Sequence, residues 1–198
     1  MAVGGGRSIA SGTPMALSAT VHHVELALSD VDRSVYETLD FRLARHPSES
    51  ARYLVTRLLA YALSYEEGIA FSKGGISSTD EPPLAVRDRT GVLQVWIDIG
   101  APSADRLHKA SKQAERVILY TSVEPRLLQK EAATREIHEI DDIDVWRFEP
   151  SFLDELETLL TRTVRLEIAR NDGKLYVTCD GRVIEGEAVK VPLRGSTE

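Results

Sequence analysis

The apolar positions change period several times along the chain, and each change marks an element. Val24, Leu26 and Leu28 alternate with Glu25 and Ala27. That two-residue period is the signature of a strand with one buried face, and it predicts a strand within Ala16 to Leu28. Ser29-Asp30-Val31-Asp32 reads as a turn. Val35, Leu39, Phe41 and Leu43 then resume the alternation against Tyr36, Thr38, Asp40 and Arg42, which makes an N-terminal β-hairpin. From Leu54 the period lengthens. Leu54, Leu58, Tyr61 and Tyr65 recur at three- and four-residue spacing, and Val55, Leu59 and Ala62 widen the stripe. This is an amphipathic helix, with Ser48 as its N-cap, Glu49 as a first-turn acid favoured by the helix dipole, and Gly68 at its end. Ile69 to Ser72 is a short strand, broken by Gly74-Gly75.

The stretch from Thr79 to Gly100, TDEPPLAVRDRTGVLQVWIDIG, carries a turn signal at Asp88-Arg89-Thr90-Gly91 between two strand-like runs. Folded as a hairpin, its start lies beside its end. Asp80 and Asp98 are symmetric about Arg89, so the expectation is that they meet at one end of a sheet. Paired carboxylates on a rigid scaffold suit a hard divalent cation, which takes oxygen ligands. In Val92 to Ile99, residues Val95, Ile97 and Ile99 share one face while Gln94, Trp96 and Asp98 share the other. Apolar bulk on both faces marks a central strand. A helix follows from about Ser103 to Ala114. Leu107, Ala110 and Ala114 form its core stripe, and Arg106, Lys109 and Gln113 share a neighbouring polar face.

Val117 to Tyr120 reads as a buried strand, Pro125 to Glu136 as a helix, Ile143 to Phe148 as a strand and Phe152 to Leu160 as a helix. The end is β: Val164 to Ala169, Leu175 to Cys179 and Val183 to Val191, with turns at Asn171-Asp172-Gly173 and Asp180-Gly181. The fold class is α/β, a mixed sheet with β-hairpins at the N- and C-terminal ends. No internal repeat or linker divides it.

Composition narrows the function. The 198 residues, 42% hydrophobic and 28% charged, fit a single domain over 15–198, with 1–14 read as a flexible tail or expression remnant. Cys179 is the single cysteine, so no intrachain disulfide can form, and a reducing cytoplasm is the expected setting. No apolar run reaches the roughly 20 residues of a membrane helix. A net charge of −7 argues against holding nucleic acid by bulk electrostatics, and leaves metal-assisted contact through a local basic patch. Arg45, His46, Arg52 and Arg57 near the first helix are candidates for such a patch; balancing the many carboxylates would explain them equally. His22 and His23 are adjacent and point to opposite strand faces, so they cannot chelate one ion together. No phosphate-binding glycine loop, cysteine-pair zinc site or Ser-His-Asp arrangement appears.

Several pieces of this chain resemble the YaeQ family of bacterial proteins: ALSATVHHVELALSDVDR, LARHPSES, the DEP of Asp80 to Pro82, the strand LQVWIDIG and the helix RLHKASKQA. They span most of Met15 to Tyr120. The resemblance implies a variant of the restriction-endonuclease-like, PD-(D/E)xK fold, with a core ordered helix, three strands, helix, strand. The elements read above over about 48–121 follow the same order. By that resemblance Asp80 and Asp98 would bind Mg²⁺, with Mn²⁺ able to substitute. The lysine expected two residues after the second acid is replaced by Gly100, and Lys109 on the following helix is the candidate substitute. Gln113 would be a polar partner one turn on, and Glu49 the extra acid that many such nucleases carry. The implied function is a Mg²⁺-dependent nuclease or phosphodiesterase acting on DNA or RNA. Gly100 and the acidic charge motivate the rival, a non-catalytic regulatory module that binds nucleic acid or protein. The residues also admit plainer readings: Asp98 in a salt bridge to Lys109 or an arginine, Asp80 as a turn former, Lys109 and Gln113 on a solvated helix face.

Overall fold

The stripe from Leu54 onward becomes the helix around which a long sheet is arranged. The structure, a computed structural model, describes residues 19–72 and 80–195. The predicted tail, the start of the first strand at 16–18, the Gly74-Gly75 break and Thr79 lie outside the described residues. In chain order the elements are β1 (Thr20–Asp30), β2 (Val35–Arg45), α1 (Ala51–Leu63), β3 (Ile69–Phe71), β4 (Leu84–Arg87), β5 (Leu93–Ile99), α2 (Ala104–Gln113), β6 (Arg116–Thr121), α3 (Pro125–Ala132), β7 (Asp144–Phe148), α4 (Pro150–Glu157), β8 (Thr163–Asn171), β9 (Lys174–Cys179) and β10 (Arg182–Lys190). The ten strands form one mixed sheet in the order β2-β1-β8-β9-β10-β7-β6-β5-β4-β3. The pairs β1–β8, β5–β6 and β6–β7 are parallel, and the rest are antiparallel.

The sheet separates two apolar clusters. On one face Leu54, Val55, Leu58 and Leu59 of α1, with Phe152, Leu153 and Leu156 of α4, meet Val24, Leu26, Val95, Ile97 and Ile168. On the other, Leu107 and Ala110 of α2 and Leu128 of α3 cover Trp96, Leu119 and Val145. β5 therefore carries apolar side chains into both clusters, as its sequence predicts for a central strand. Cys179 is buried in the first cluster. His22 is buried and His23 faces outward, as their adjacency requires. Among the described residues no helix is long and apolar enough to cross a membrane.

α1 also draws together strands that lie at opposite ends of the sheet. Phe41 of β2 and Phe71 of β3 have ring centroids 5.6 Å apart, and Tyr61 of α1 packs on both at 4.8 and 4.7 Å. Arg57 donates from Nη2 to the Ala44 carbonyl of β2 at 2.5 Å and lies over the Phe71 ring at 5.6 Å. At the other end of the helix, Arg33 in the β1–β2 turn reaches the Ala62 and Tyr65 carbonyls at 3.3 and 3.4 Å. The guanidinium thus anchors the β1–β2 turn to the last turn of α1 and the segment just beyond it.

Three local expectations are corrected. The N-cap of α1 is Ser50, whose hydroxyl accepts from the Tyr53 amide at 3.1 Å; Ser48 is instead taken up by His46, with its hydroxyl 2.7 Å from Nδ1. Glu49 therefore precedes the helix and does not sit in its first turn. Leu63 ends the helix, before Gly68. Gly68 serves another purpose: its φ is +91°, and a Cβ there would stand 2.1 Å from the Arg87 carbonyl oxygen of β4. Gly91 has a similar φ of +88° but open space around it. Gly68→Ala should lower stability by about 3 kcal/mol in urea unfolding, and Gly91→Ala by about 1 kcal/mol. Equal losses would show that the close approach to β4 carries no weight.

Candidate functional site

Asp98 sits on the last turn-ward stretch of β5 with its carboxylate buried beside Trp96. A carboxylate in that position is costly unless charge and hydrogen bonds are supplied to it. Trp96 Nε1 donates to Oδ2 at 3.1 Å, the Ile99 amide donates to Oδ1 at 3.2 Å, and Arg106 Nε donates to Oδ2 at 2.6 Å. Arg106 lies in the first turn of α2, whose N-cap is Ser103. Its guanidinium stacks over Trp96 at 5.2 Å, and its Nη2 donates to the Glu81 carbonyl at 2.9 Å. One side chain thus ties β5 to the segment that leads into β4. The plainer reading of Asp98, a salt bridge to an arginine, is realised.

Asp80 does not reach Asp98 by strand pairing. Leu84 faces Ile97, so Pro83 falls beside Asp98 and Asp80 lies three residues earlier. The symmetry about Arg89 fails because the pairing is centred on Thr90 where Arg87 faces Leu93, and the bulge between Val86 and Arg87 moves it further. Asp80 is exposed, and Lys109 Nζ meets its Oδ1 at 2.5 Å. The hydrogen bond and charge of Lys109 hold the Asp80 carboxyl below its ordinary range, and Arg106 adds to this. Arg106 and Lys109 are three residues apart and share a helix face. The two aspartates are therefore connected through two cations one turn apart on α2. Gln113 closes α2, exposed and without a side-chain hydrogen bond among the described residues.

Glu49 is buried and ion-paired with Arg57, Oε1 to Nη2 at 3.1 Å; its other oxygen accepts from the His46 amide at 3.1 Å. Burial pushes the Glu49 carboxyl up, against the opposing pull of Arg57, and pushes the Arg57 guanidinium down. Tyr53 stands one turn from each, at the four-residue spacing that stacks side chains along a helix. Burial pushes the Tyr53 phenol above its ordinary range, with the charges of Asp98 and Glu49 acting in the same direction and those of Arg57 and Arg106 against it. Arg45 donates to the Glu49 carbonyl at 2.9 Å and Arg52 pairs with Asp154 and Glu157, so the arginines near α1 balance local acceptors and form no open basic patch.

Arg106 and Tyr53 are the members of this constellation that the sequence reading passed over. Arg106 was visible on the polar face of its helix, three residues from Lys109, but nothing local aims it at Asp98. Tyr53 at a helix start reads as core. Gly100, where the resemblance expects a lysine, has φ +84° and donates its amide to the Tyr120 carbonyl at 2.8 Å. A left-handed backbone is strained for any L side chain, which is a local reason for glycine at this position.

Three carboxylates, Glu49, Asp80 and Asp98, are each matched here by one cation, Arg57, Lys109 and Arg106. Asp80 and Asp98 offer the hard oxygens that a divalent cation takes. Among the described residues no cluster of three or more His, Cys, Asp or Glu side chains forms a metal cage. Any such ion would have to rely on these two carboxylates and on water or substrate oxygens, the arrangement usual for Mg²⁺.

Sequence and structure comparisons agree on kinship. The model of the YaeQ protein family matches residues 15–188. The Escherichia coli K12 protein named "Uncharacterized protein YaeQ" is 28% identical over 173 residues, covering 86% of this chain and 94% of that one. Its Salmonella typhi namesake is 30% identical over 166 residues, covering 83% and 91%. The crystal structure of YaeQ protein from Pseudomonas syringae superposes with a TM-score of 0.80 at 31% identity, covering 87% of this chain and 96% of that one. That of YaeQ protein from Xanthomonas axonopodis pv. citri gives 0.80 at 30% identity, covering 87% and 98%. With a family match over most of its length and the same fold in two solved relatives, the chain belongs to the YaeQ family.

Proposed function

We propose that the chain is a Mg²⁺- or Mn²⁺-dependent phosphodiesterase acting on DNA or RNA. The observation that carries this reading is the reach of Lys109 from α2 to Asp80, beside the Arg106–Asp98 pair. An ammonium group delivered from the helix stands in for the lysine that the strand cannot carry at Gly100. The run α1-β3-β4-β5-α2-β6, with β3, β4 and β5 antiparallel and β6 parallel to β5, supports a restriction-endonuclease-like core. The one-to-one matching of charges supports a need for an added cation, because the site has no positive surplus with which to hold a phosphodiester.

Asp80 and Asp98 would hold the divalent ion, which supplies a Lewis acid for the attacking water and the phosphoryl oxygens. Lys109 orients that water by hydrogen bonding. Arg106 keeps the Asp98 carboxylate in place and ties it to the segment before β4. Gln113 lies one turn further along the same helix, where it would help orient substrate, and Glu49 acts through its pairing with Arg57. The second reading, a non-catalytic module binding nucleic acid or protein, is favoured by one observation: the Asp98 carboxylate already accepts three hydrogen bonds.

Cleavage of linear, nicked and single-stranded substrates should require Mg²⁺ or Mn²⁺. Asp98→Asn, which keeps the shape, should reduce the rate at least about a hundredfold with an unchanged fold by circular dichroism. A chain that binds no Mn²⁺ at millimolar concentration, by calorimetry, would end this reading and leave the second. In carboxyl ¹³C NMR titrations Asp80 should titrate below the ordinary value of 3.8 and move up toward it in Lys109→Met. The sign follows from the depressed value: the Lys109–Asp80 contact is complete at neutral pH and is lost as pH falls through the folded-state pKa. An Asp80 titration indifferent to Lys109 would remove the contact on which the proposal rests.

A further inference from the structure

We infer that the groove beside Glu81, on strands β3 and β4, takes one unpaired guanine of a single-stranded nucleic acid, with Glu81 accepting from its N1–H and N2 amino groups. This rests on the phosphodiesterase reading above for its ligand class, and adds a base preference to it. The groove has a volume of about 360 Å³, and Ala70, Pro82, Ala85, Glu81 and Arg87 are among its lining residues. Small-molecule sites span roughly 300–1,000 Å³. Ala70 faces Ala85, and Ala85 faces Trp96. Directly opposed residues share a face of the sheet, so the small-residue floor runs in one row into Trp96, over which Arg106 lies at 5.2 Å. Glu81 is tied to the same guanidinium through its carbonyl, 2.9 Å from Arg106 Nη2, and follows Asp80 in the chain. The groove therefore borders the paired carboxylates of the site.

Two charged groups in this groove lack the partners that the rest of the site has. Glu49, Asp80 and Asp98 each have a cation, whereas the exposed Glu81 carboxylate has no hydrogen bond or ion pair among the described residues. Arg87 donates from Nη1 to the Gly91 carbonyl at 3.1 Å and enters no ion pair among the described residues, although it shares the groove with Glu81. The Arg87 backbone is fixed, its amide donating to the Gly68 carbonyl at 3.2 Å. A carboxylate only accepts hydrogen bonds and a guanidinium only donates them. A ligand that answers both needs donors on one edge, acceptors on another and a flat apolar face for the alanine floor. Guanine carries two adjacent donors, N1–H and the N2 amino group, and two adjacent acceptors, O6 and N7, which are the usual partners of arginine. In a duplex the donor edge is occupied by cytosine, so the base has to be unpaired.

Binding of fluorescein-labelled five-nucleotide single-stranded DNAs to the full chain in Ca²⁺, read by anisotropy, tests this. The probes are thymine throughout except at the centre, which is guanine, hypoxanthine, adenine or cytosine; hypoxanthine is guanine without the N2 amino group. The parent should bind the guanine probe roughly tenfold more tightly than the hypoxanthine probe, the loss of one hydrogen bond to a charged acceptor. Glu81→Gln should lose that preference at an unchanged thermal midpoint, because its side chain has no internal bond to give up. Ala70→Leu, at an exposed position on β3, should weaken binding of the guanine probe by filling the groove. Equal affinity of the parent for all the probes, or a guanine preference that survives in Glu81→Gln, overturns the inference, and Mg²⁺-dependent cleavage of the probes then leaves the phosphodiesterase reading standing. Selective binding of the guanine probe without cleavage in Mg²⁺ or Mn²⁺ supports the groove and ends the phosphodiesterase reading. A parent chain that neither binds nor cleaves any probe overturns both.

Discussion

The buried Arg57 guanidinium is the interaction on which the rest of the structure leans. Helix α1 is buried on nearly every side, and Arg57 is only 2% exposed, so its charge has to be answered inside the protein. Glu49 supplies the counter-charge, the Ala44 carbonyl takes one hydrogen bond, and the Phe71 ring takes the guanidinium face. Such a pair adds little net stability, but removing one member leaves an uncompensated buried charge, a cost of about 3–5 kcal/mol. Its value lies in specification. Glu49 precedes the helix, Ala44 is on β2 and Phe71 on β3, so one side chain fixes where α1 begins and where both outermost strands lie.

The site inherits this order. Glu49 and Tyr53 stand at the start of α1, while α2, on the opposite face of the sheet, brings Arg106 to Asp98 and Lys109 to Asp80. β5 carries Asp98 between them because it is buried on both faces and its end is turned by Gly100. Carboxylates and cations are thereby brought together from elements that do not share a layer. Trp96 has a double part: it fills the second cluster, and it holds both Asp98, through its indole N–H, and Arg106, through its ring.

Most of the elements were legible because their apolar periods are long and regular, and the alternation of β1 and the double-faced β5 were the clearest cases. The site was legible only in its conspicuous members. Asp98 stood out as an acid in an apolar strand, and Asp80 and Lys109 through the family resemblance. The register that would join the aspartates was misplaced because Pro82 and Pro83 lengthen the approach to β4 and the bulge beside Arg87 cannot be read from composition. Ser48 and Ser50 flank Glu49 symmetrically, and only the capture of Ser48 by His46 decides which one caps the helix. Arg57 and Arg106 acquire their meaning from partners on other elements, which local patterns do not encode.

The parallel pairing of β1 with β8 has a consequence for the order in which this chain can be made and folded. His23 pairs with Thr163 and Asp30 with Arg170, so the first hairpin borders a strand translated some 140 positions later. Pairings of such separation close slowly, because the loop entropy is spent before any contact repays it. As the polypeptide emerges from a ribosome, β1 presents an open hydrogen-bonding edge for almost the whole of its synthesis. The charged positions Glu25, Asp40 and Arg42 on that hairpin are of the kind that disfavours edge-to-edge pairing while such an edge stands open.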